Sequence, residues 1–289
     1  MSGKTALVTG ANSGIGYETA LDLAKKGYTV FFMCRSLDKA NEAIEKVKTA
    51  TGNQNLHPIA GDAADLEKIR SAAKAVLEKT QKLDALINNA GVFMSDHKKA
   101  ANNVEMVFAV NHLAPFLLTH LLMPALLKSD DARIVNVSSK NHFRKSSKLD
   151  LDDLSMDKGY SGLRSYDRSK LANILSTMEM DRQLKAAGIK NVSVNVLHPG
   201  RVQTDIAIKN ANIFVRIFWI WRRKSGITPE QGAKTQLHLA TSPEVKGKSG
   251  TYWDDSKEVA AAPIAHDKDL AKRLWDVSLK LCGINKFLP

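Results

Sequence analysis

Through the first half of the chain, short stretches apolar on both faces alternate with amphipathic helical stretches. Residues 5–9 (TALVT) read as a buried strand, and 15–26 as a helix with Ile15, Thr19, Ala20 and Leu23 on one face. Gly27 ends that helix. Residues 28–34 (YTVFFMC) read as a second strand, 37–51 as a helix with charged residues outside, 56–60 as a third strand, 66–80 as a helix and 83–87 as a fourth strand. Strands buried on both faces need helices on both sides, so the expectation is a parallel sheet with right-handed crossovers. A long helix over 104–127 follows, then a strand at 133–137, a helix over 166–187, a strand at 192–197 and a last strand within 250–253. About seven strands result, in an α/β, Rossmann-type doubly wound sheet covered by helices on both faces. No Gly-, Pro- or Ser-rich linker and no internal repeat divides residues 1–289, so one domain is expected.

The segment 206–226 breaks the rhythm. It contains NIFVRIFWIWRRK, in which Phe214, Phe218, Trp219 and Trp221 precede Arg222, Arg223 and Lys224. It reads as an added, lid-like element over a large apolar substrate. A surface helix touching anionic lipid is the alternative.

Bulk properties remove several classes of function. Two cysteines, Cys34 and Cys282, form no disulfide framework and lack metal-ligand spacing, so no metal is expected. The net charge is +12, but the basic residues are spread among acids and make no aromatic-interleaved platform, which argues against nucleic acid. With no leader pattern and no uninterrupted apolar run of about 18 residues, the expected location is cytoplasmic or peripheral to a membrane surface.

The turn Thr9-Gly10-Ala11-Asn12-Ser13-Gly14-Ile15-Gly16 joins the first strand to the first helix. Glycines there permit close backbone approach to a pyrophosphate, and the helix N-terminus supplies N–H donors. The second strand ends at Cys34-Arg35-Ser36 instead of at an acid. Arg35 suits the 2′-phosphate of NADP(H) better than the free ribose of NAD(H); a solvated surface charge is the alternative. Tyr166 and Lys170 lie four apart on one helical face. A neighbouring ammonium is expected to lower the tyrosine pKa and make it a general acid/base.

Taken in order, TGANSGIG, Asn88-Asn89-Ala90-Gly91, Asn111, Ser138-Ser139, Tyr166, Lys170 and His198-Pro199-Gly200 resemble the short-chain dehydrogenase/reductase family, over roughly residues 4–253. The phrases LINNAG, VNVSS, SKLANI and HPGRVQT look most like its retinol dehydrogenase and lipid-carbonyl reductase branch. The resemblance implies a catalytic set of Asn111, Ser139, Tyr166 and Lys170. Ser139, with Ser138 as the alternative, would bind the substrate oxygen. Tyr166 would give or take the proton. Lys170 would hold the nicotinamide ribose, and Asn111 would bend its helix and hold a water of the proton relay. It also implies a cofactor site of Gly10, Asn12, Ser13, Gly14, Ile15, Gly16, Arg35, Asp62, Asn89, Ala90, Gly91, Tyr166, Lys170, Pro199, Val202 and Thr204. In that site Asp62 would meet the adenine amino group, or else cap the next turn.

The implied reaction is reversible hydride transfer between a nicotinamide and a lipophilic carbonyl or alcohol. A non-catalytic cofactor-sensing scaffold and a porphyrin double-bond reductase are the alternatives. Ser139 and Tyr166 lie 166 − 139 = 27 residues apart, and the charged stretch between them resembles that of the retinol dehydrogenase branch. The membrane-anchoring N-terminal extension of several members of that branch is absent from the sequence. Family members often pair through helices beside the catalytic one, so a homodimer or tetramer is expected by resemblance, along with a peripheral membrane contact.

Overall fold

The computed structural model describes residues 3–101, 103–202 and 226–289. β1 (Thr5–Thr9), β2 (Thr29–Cys34), β3 (Leu56–Ala60) and β4 (Ala85–Asn88) alternate with α1 (Gly14–Lys25), α2 (Leu37–Thr51) and α3 (Leu66–Leu77). Local chemistry sets the helix ends. Gly52, at φ 72°, takes the left-handed position that ends α2. Asp65 opens α3 by accepting from the N–H groups of Glu67 and Lys68.

A short turn (Met106–Phe108) and a π-helical turn (Ala109–Leu113) then lead into α4 (Ala114–Leu126). β5 (Ala132–Val137), α5 (Gly162–Ala186), β6 (Val192–His198), α6 (Pro229–Thr241), β7 (Tyr252–Asp254), β8 (Lys257–Val259) and α7 (Lys268–Leu281) complete the order. The expected single helix over 104–127 is therefore interrupted by the π-turn.

The sheet runs β3-β2-β1-β4-β5-β6-β7-β8. All pairs are parallel except β7 with β8. The sheet thus has eight strands where about seven were expected. The extra one is an exposed three-residue return strand, reached through Asp255 and Ser256, both at positive φ. Strand order reverses between β1 and β4, which opens a crevice at the carboxyl ends of the strands. One apolar cluster fills each face of the sheet.

Residues Met106–Leu126 form a stretch long and apolar enough to cross a membrane, with a mean hydropathy of 1.6. Most of it is buried inside the protein, as in the core helix of a globular fold. The C-terminal residues cover its outer side. Trp275 of α7 meets the Phe116 ring edge-on at 4.9 Å and packs on Phe287 at 4.6 Å. His112 bonds Ser278 Oγ at 2.8 Å, and His120 Nδ1 donates to the Phe287 carbonyl at 2.6 Å. α7 also packs along α5.

Candidate active site

A cleft of about 1510 Å³ opens over the carboxyl ends of the strands. Its floor is the glycine turn. Gly10 and Gly14 adopt positive φ (69° and 57°). Ser13 caps α1 without a side-chain bond to its first amides, which leaves those amides to a ligand. A Cβ on Gly16 would sit 2.4 Å from both the Gly10 carbonyl oxygen and Asn89 Nδ2, so the turn and helix touch at van der Waals limits. Asn89 locks this contact, donating to the Thr9 carbonyl at 2.8 Å and accepting from Gln236 Nε2 at 3.2 Å. The backbone N–H groups of Asn89 and Ala90 both donate to Thr9 Oγ1. These are the features of a cradle for a dinucleotide, built where the strand order reverses.

Gly10, Asn12, Ser13, Gly14, Ile15, Gly16, Arg35, Asp62, Asn89, Ala90, Gly91, Tyr166, Lys170, Pro199 and Val202 all line this one cleft. Thr204 lies outside the described residues, as does the expected lid apart from Gly226, including Phe214, Phe218, Trp219 and Trp221. Gly61 N–H bonds the Cys34 carbonyl at 2.7 Å, which brings Asp62 beside Arg35. Asp62 Oδ1 accepts from Ala64 N–H at 3.1 Å, so it caps the turn that follows it while lining the cleft. Lys39, on the first turn of α2, lines the cleft near Arg35. The sequence reading passed over it; its signal was a second cation four residues after Arg35.

The two serines after β5 part company. Both border the cleft, but Ser138 is buried with its hydroxyl donating to the Lys170 carbonyl at 2.7 Å, while Ser139 is partly exposed. Ser139 Oγ accepts from Asn141 N–H at 3.2 Å and lies close enough to the Tyr166 hydroxyl to favour its phenolate. Lys170 is 2% exposed, donates to the Val137 carbonyl at 3.0 Å, and sits 5.5 Å from the Tyr166 ring centre. Asn111, in the π-turn, accepts from Val92 N–H at 2.8 Å and donates both to the Val92 carbonyl and to Ser169 Oγ at 3.0 Å. It is absent from the cleft wall and holds the strand-end segment 91–93 against the α5 helix. Gly91 passes close to both Asn111 and Lys170.

The electrostatics differ from the sequence expectation. Tyr166 is pushed up to about 12, first by burial and then by the carboxylate of Asp167; Ser139 beside it pulls the other way. Lys170 is pushed down to about 8 by burial. In the protein's own site, desolvation outweighs the help the ammonium was expected to give the phenolate. Both groups are driven toward their neutral forms. His198, at the end of β6, is pushed down to about 4 by burial.

The wall beyond Tyr166 is apolar. Phe93 meets the Tyr166 ring edge-on at 6.0 Å, and Met94, Met106, Val110 and Leu163 extend the surface. The segment from 94 to 99 is braced by the stretch preceding α5. Tyr160 stacks on His97 at 4.8 Å and donates to the Met94 carbonyl at 3.1 Å, and Lys99 pairs with Asp157 at 2.6 Å.

The short chain dehydrogenase family model matches residues 4–150. Human retinol dehydrogenase 11 is 41% identical over 98% of this chain and 87% of its own length. The chain belongs to the short-chain dehydrogenase/reductase family. It is also 40% identical to human retinol dehydrogenase 14, over 99% of this chain and 88% of that protein. Among solved structures, an uncharacterised protein of Mycobacterium paratuberculosis superposes with a TM-score of 0.77 at 28% identity, covering 99% of this chain and 95% of the other. A short chain dehydrogenase of Escherichia coli CFT073 complexed with NADPH shares the fold, with a TM-score of 0.67 at 23% identity over 88% of this chain and 97% of the other. The protein is thus a retinol dehydrogenase-like oxidoreductase of alcohols and carbonyls, built on a nicotinamide-binding fold.

Proposed function

We propose that the chain is an NADP(H)-dependent short-chain alcohol dehydrogenase/carbonyl reductase acting on a lipophilic substrate of retinoid, steroid or aldehyde type. The observation that carries this is the Tyr166 hydroxyl. It lies beside Ser139 in one cleft, one helical turn from buried Lys170, between the glycine cradle and an apolar wall.

The cradle would hold NADPH, which when bound would supply the hydride for reduction of the substrate carbonyl. The first amides of α1 and the backbone of Gly10 to Gly16 bind its pyrophosphate. Arg35, with Lys39 beside it, binds the 2′-phosphate. Asp62 and Asn89 to Gly91 line the adenosine side, and Pro199 to Val202 the carboxamide side. Ser139 donates to the substrate oxygen as charge develops on it. Tyr166 hands that oxygen its proton; the phenol carries it at neutral pH, and burial raises its pKa further. Lys170 holds the nicotinamide ribose hydroxyls, and Asn111 fixes the bend and the relay water.

The apolar wall of Phe93, Met94, Met106, Val110 and Leu163 supports a greasy substrate. Residues 1–289 act as one domain in this reading. A homodimer or tetramer would use a surface other than those of α4 and α5 that the chain's own α7 covers. NADPH and NADH oxidation against retinal, a steroid ketone, a medium-chain aldehyde, a quinone and a small polar carbonyl tests the proposal. Turnover of at least one lipophilic carbonyl with NADPH is expected; turnover confined to small polar carbonyls would overturn the substrate class.

A further inference from the structure

The three residues after Ser139 each fasten it to a different part of the fold. Lys140 pairs with Asp254, at the end of β7, at 2.7 Å. Asn141 donates from its amide to Asp167 of α5 at 2.6 Å, and its backbone N–H meets Ser139 Oγ. His142 is 1% exposed, and its ring stands between those of Phe143 and Tyr252.

The ring of His142 has two partners of opposite kind. Nε2 faces the backbone N–H of Ala262 at 3.1 Å, so it must accept. Nδ1 faces the carbonyl oxygen of Ser139 at 2.7 Å, so it must donate. These partners fix a neutral ring with the proton on Nδ1. The same carbonyl receives the His142 backbone N–H at 3.3 Å. One side chain therefore holds the peptide of Ser139 from below and ties it to the segment before the last helix.

We propose that His142 is a positioning residue for the reaction. Its Nδ1–H grips the Ser139 carbonyl and so sets the direction in which the Ser139 hydroxyl meets the substrate oxygen. The bond from Ala262 keeps the proton on Nδ1, the tautomer that can make that grip; an amide donor at the same place needs no such help. This rests on the reading of Ser139 as the donor to that oxygen. A hydroxyl misdirected by an ångström loses transition-state stabilisation while cofactor binding, made by other residues, is untouched.

The test compares His142→Asn with His142→Gln in the full chain. Asparagine keeps a donor where Nδ1 sits and loses the reach to Ala262. Glutamine reaches Ala262 and loses the donor to Ser139. Each variant loses one of two hydrogen bonds, so a merely structural role would treat them alike. With the best carbonyl of the substrate panel, H142N is expected to keep kcat within about threefold and H142Q to lose about ten- to hundredfold, both with unchanged NADPH Kd. In a Ser139→Ala background, H142Q should cost nothing further. Unchanged NADPH Kd also certifies the fold. If H142Q fails to fold, H142N alone still decides, because a kcat loss there of more than about tenfold overturns the proposal. Equal kcat in the two variants, or the same loss repeated without the Ser139 hydroxyl, overturns the role of His142 alone. Full kcat in Ser139→Ala overturns the reading of Ser139 beneath it as well.

Discussion

Replacing Gly16 with alanine probes whether the glycine turn is a cradle for a ligand or merely a bend. The new Cβ would lie 2.4 Å from the Gly10 carbonyl oxygen, where ordinary contact begins at 3.4 Å, so something must move by 3.4 − 2.4 = 1.0 Å. The Gly10 backbone is not free to yield, because its N–H is bonded to the Met33 carbonyl at 2.8 Å. Asn89, the other obstacle, is held by Thr9 and Gln236. The helix must therefore lift from the turn, at an overpacking cost of about 1–3 kcal/mol. The amides that would bind pyrophosphate lift with it. Because about 1.4 kcal/mol is a factor of ten, NADPH affinity should fall by roughly ten- to hundredfold. Fluorescence titration with NADPH measures this. Gly52→Ala is the control: that glycine has positive φ (72°), which Gly16 lacks, but open space surrounds its Cβ position, so it strains the backbone without a clash. It should cost about 1 kcal/mol of stability and leave NADPH binding alone. An NADPH Kd in Gly16→Ala no weaker than in Gly52→Ala would refute the reasoning.

Lys170→Met should abolish turnover yet stabilise the ligand-free protein at pH 7 by ~1–3 kcal/mol, since one pKa unit is about 1.4 kcal/mol. The Val137 carbonyl keeps a partner in Asn173 Nδ2 at 3.2 Å. The unfolded amine holds its proton to 10.5 and the folded one only to about 8, so the unfolded state binds more protons in that window and wild-type stability rises with pH across it. Thermal melts should therefore show the advantage of Lys170→Met shrinking between pH 8 and 10.5, and a constant difference would refute this. Arg35→Asp should weaken NADPH by roughly ten- to hundredfold through loss of a charge-assisted contact, while NADH binding holds or improves. Kd values for both cofactors decide, and an unchanged ratio would make Arg35 a plain surface charge.

Much of the fold could be read from local pattern. β1, α2 and β3 have the expected bounds because apolar runs, an amphipathic face and Gly52 are all written within a few residues. The π-turn at Ala109–Leu113 left no trace in periodicity, since a single widened turn keeps the apolar face continuous. β8 was invisible because its three residues are exposed and carry no alternation. α6 was missed although Thr228 and Gln231 form a capping box around Pro229. Within the site, the spacing of Tyr166 and Lys170 was local and legible. What distinguishes Ser139 from Ser138 is a contact across the fold, the bond from the Ser138 hydroxyl to the Lys170 carbonyl, which spacing does not reveal. The link from His142 to Ala262 spans 120 residues and has no sequence signature. The raised phenol of Tyr166 depends on burial, which spacing alone does not reveal.

Tyr166→Phe tests the central claim most directly. Phenylalanine keeps the ring beside Phe93 and removes only the hydroxyl that meets Ser139. Single-turnover oxidation of bound NADPH by a lipophilic aldehyde should slow by about 10²–10⁴-fold, the usual contribution of a positioned acid. NADPH Kd should stay within about twofold of wild type, which a ten- to hundredfold site distortion would exceed. A variant that binds NADPH normally and turns over at the wild-type rate would contradict Tyr166 as the proton donor.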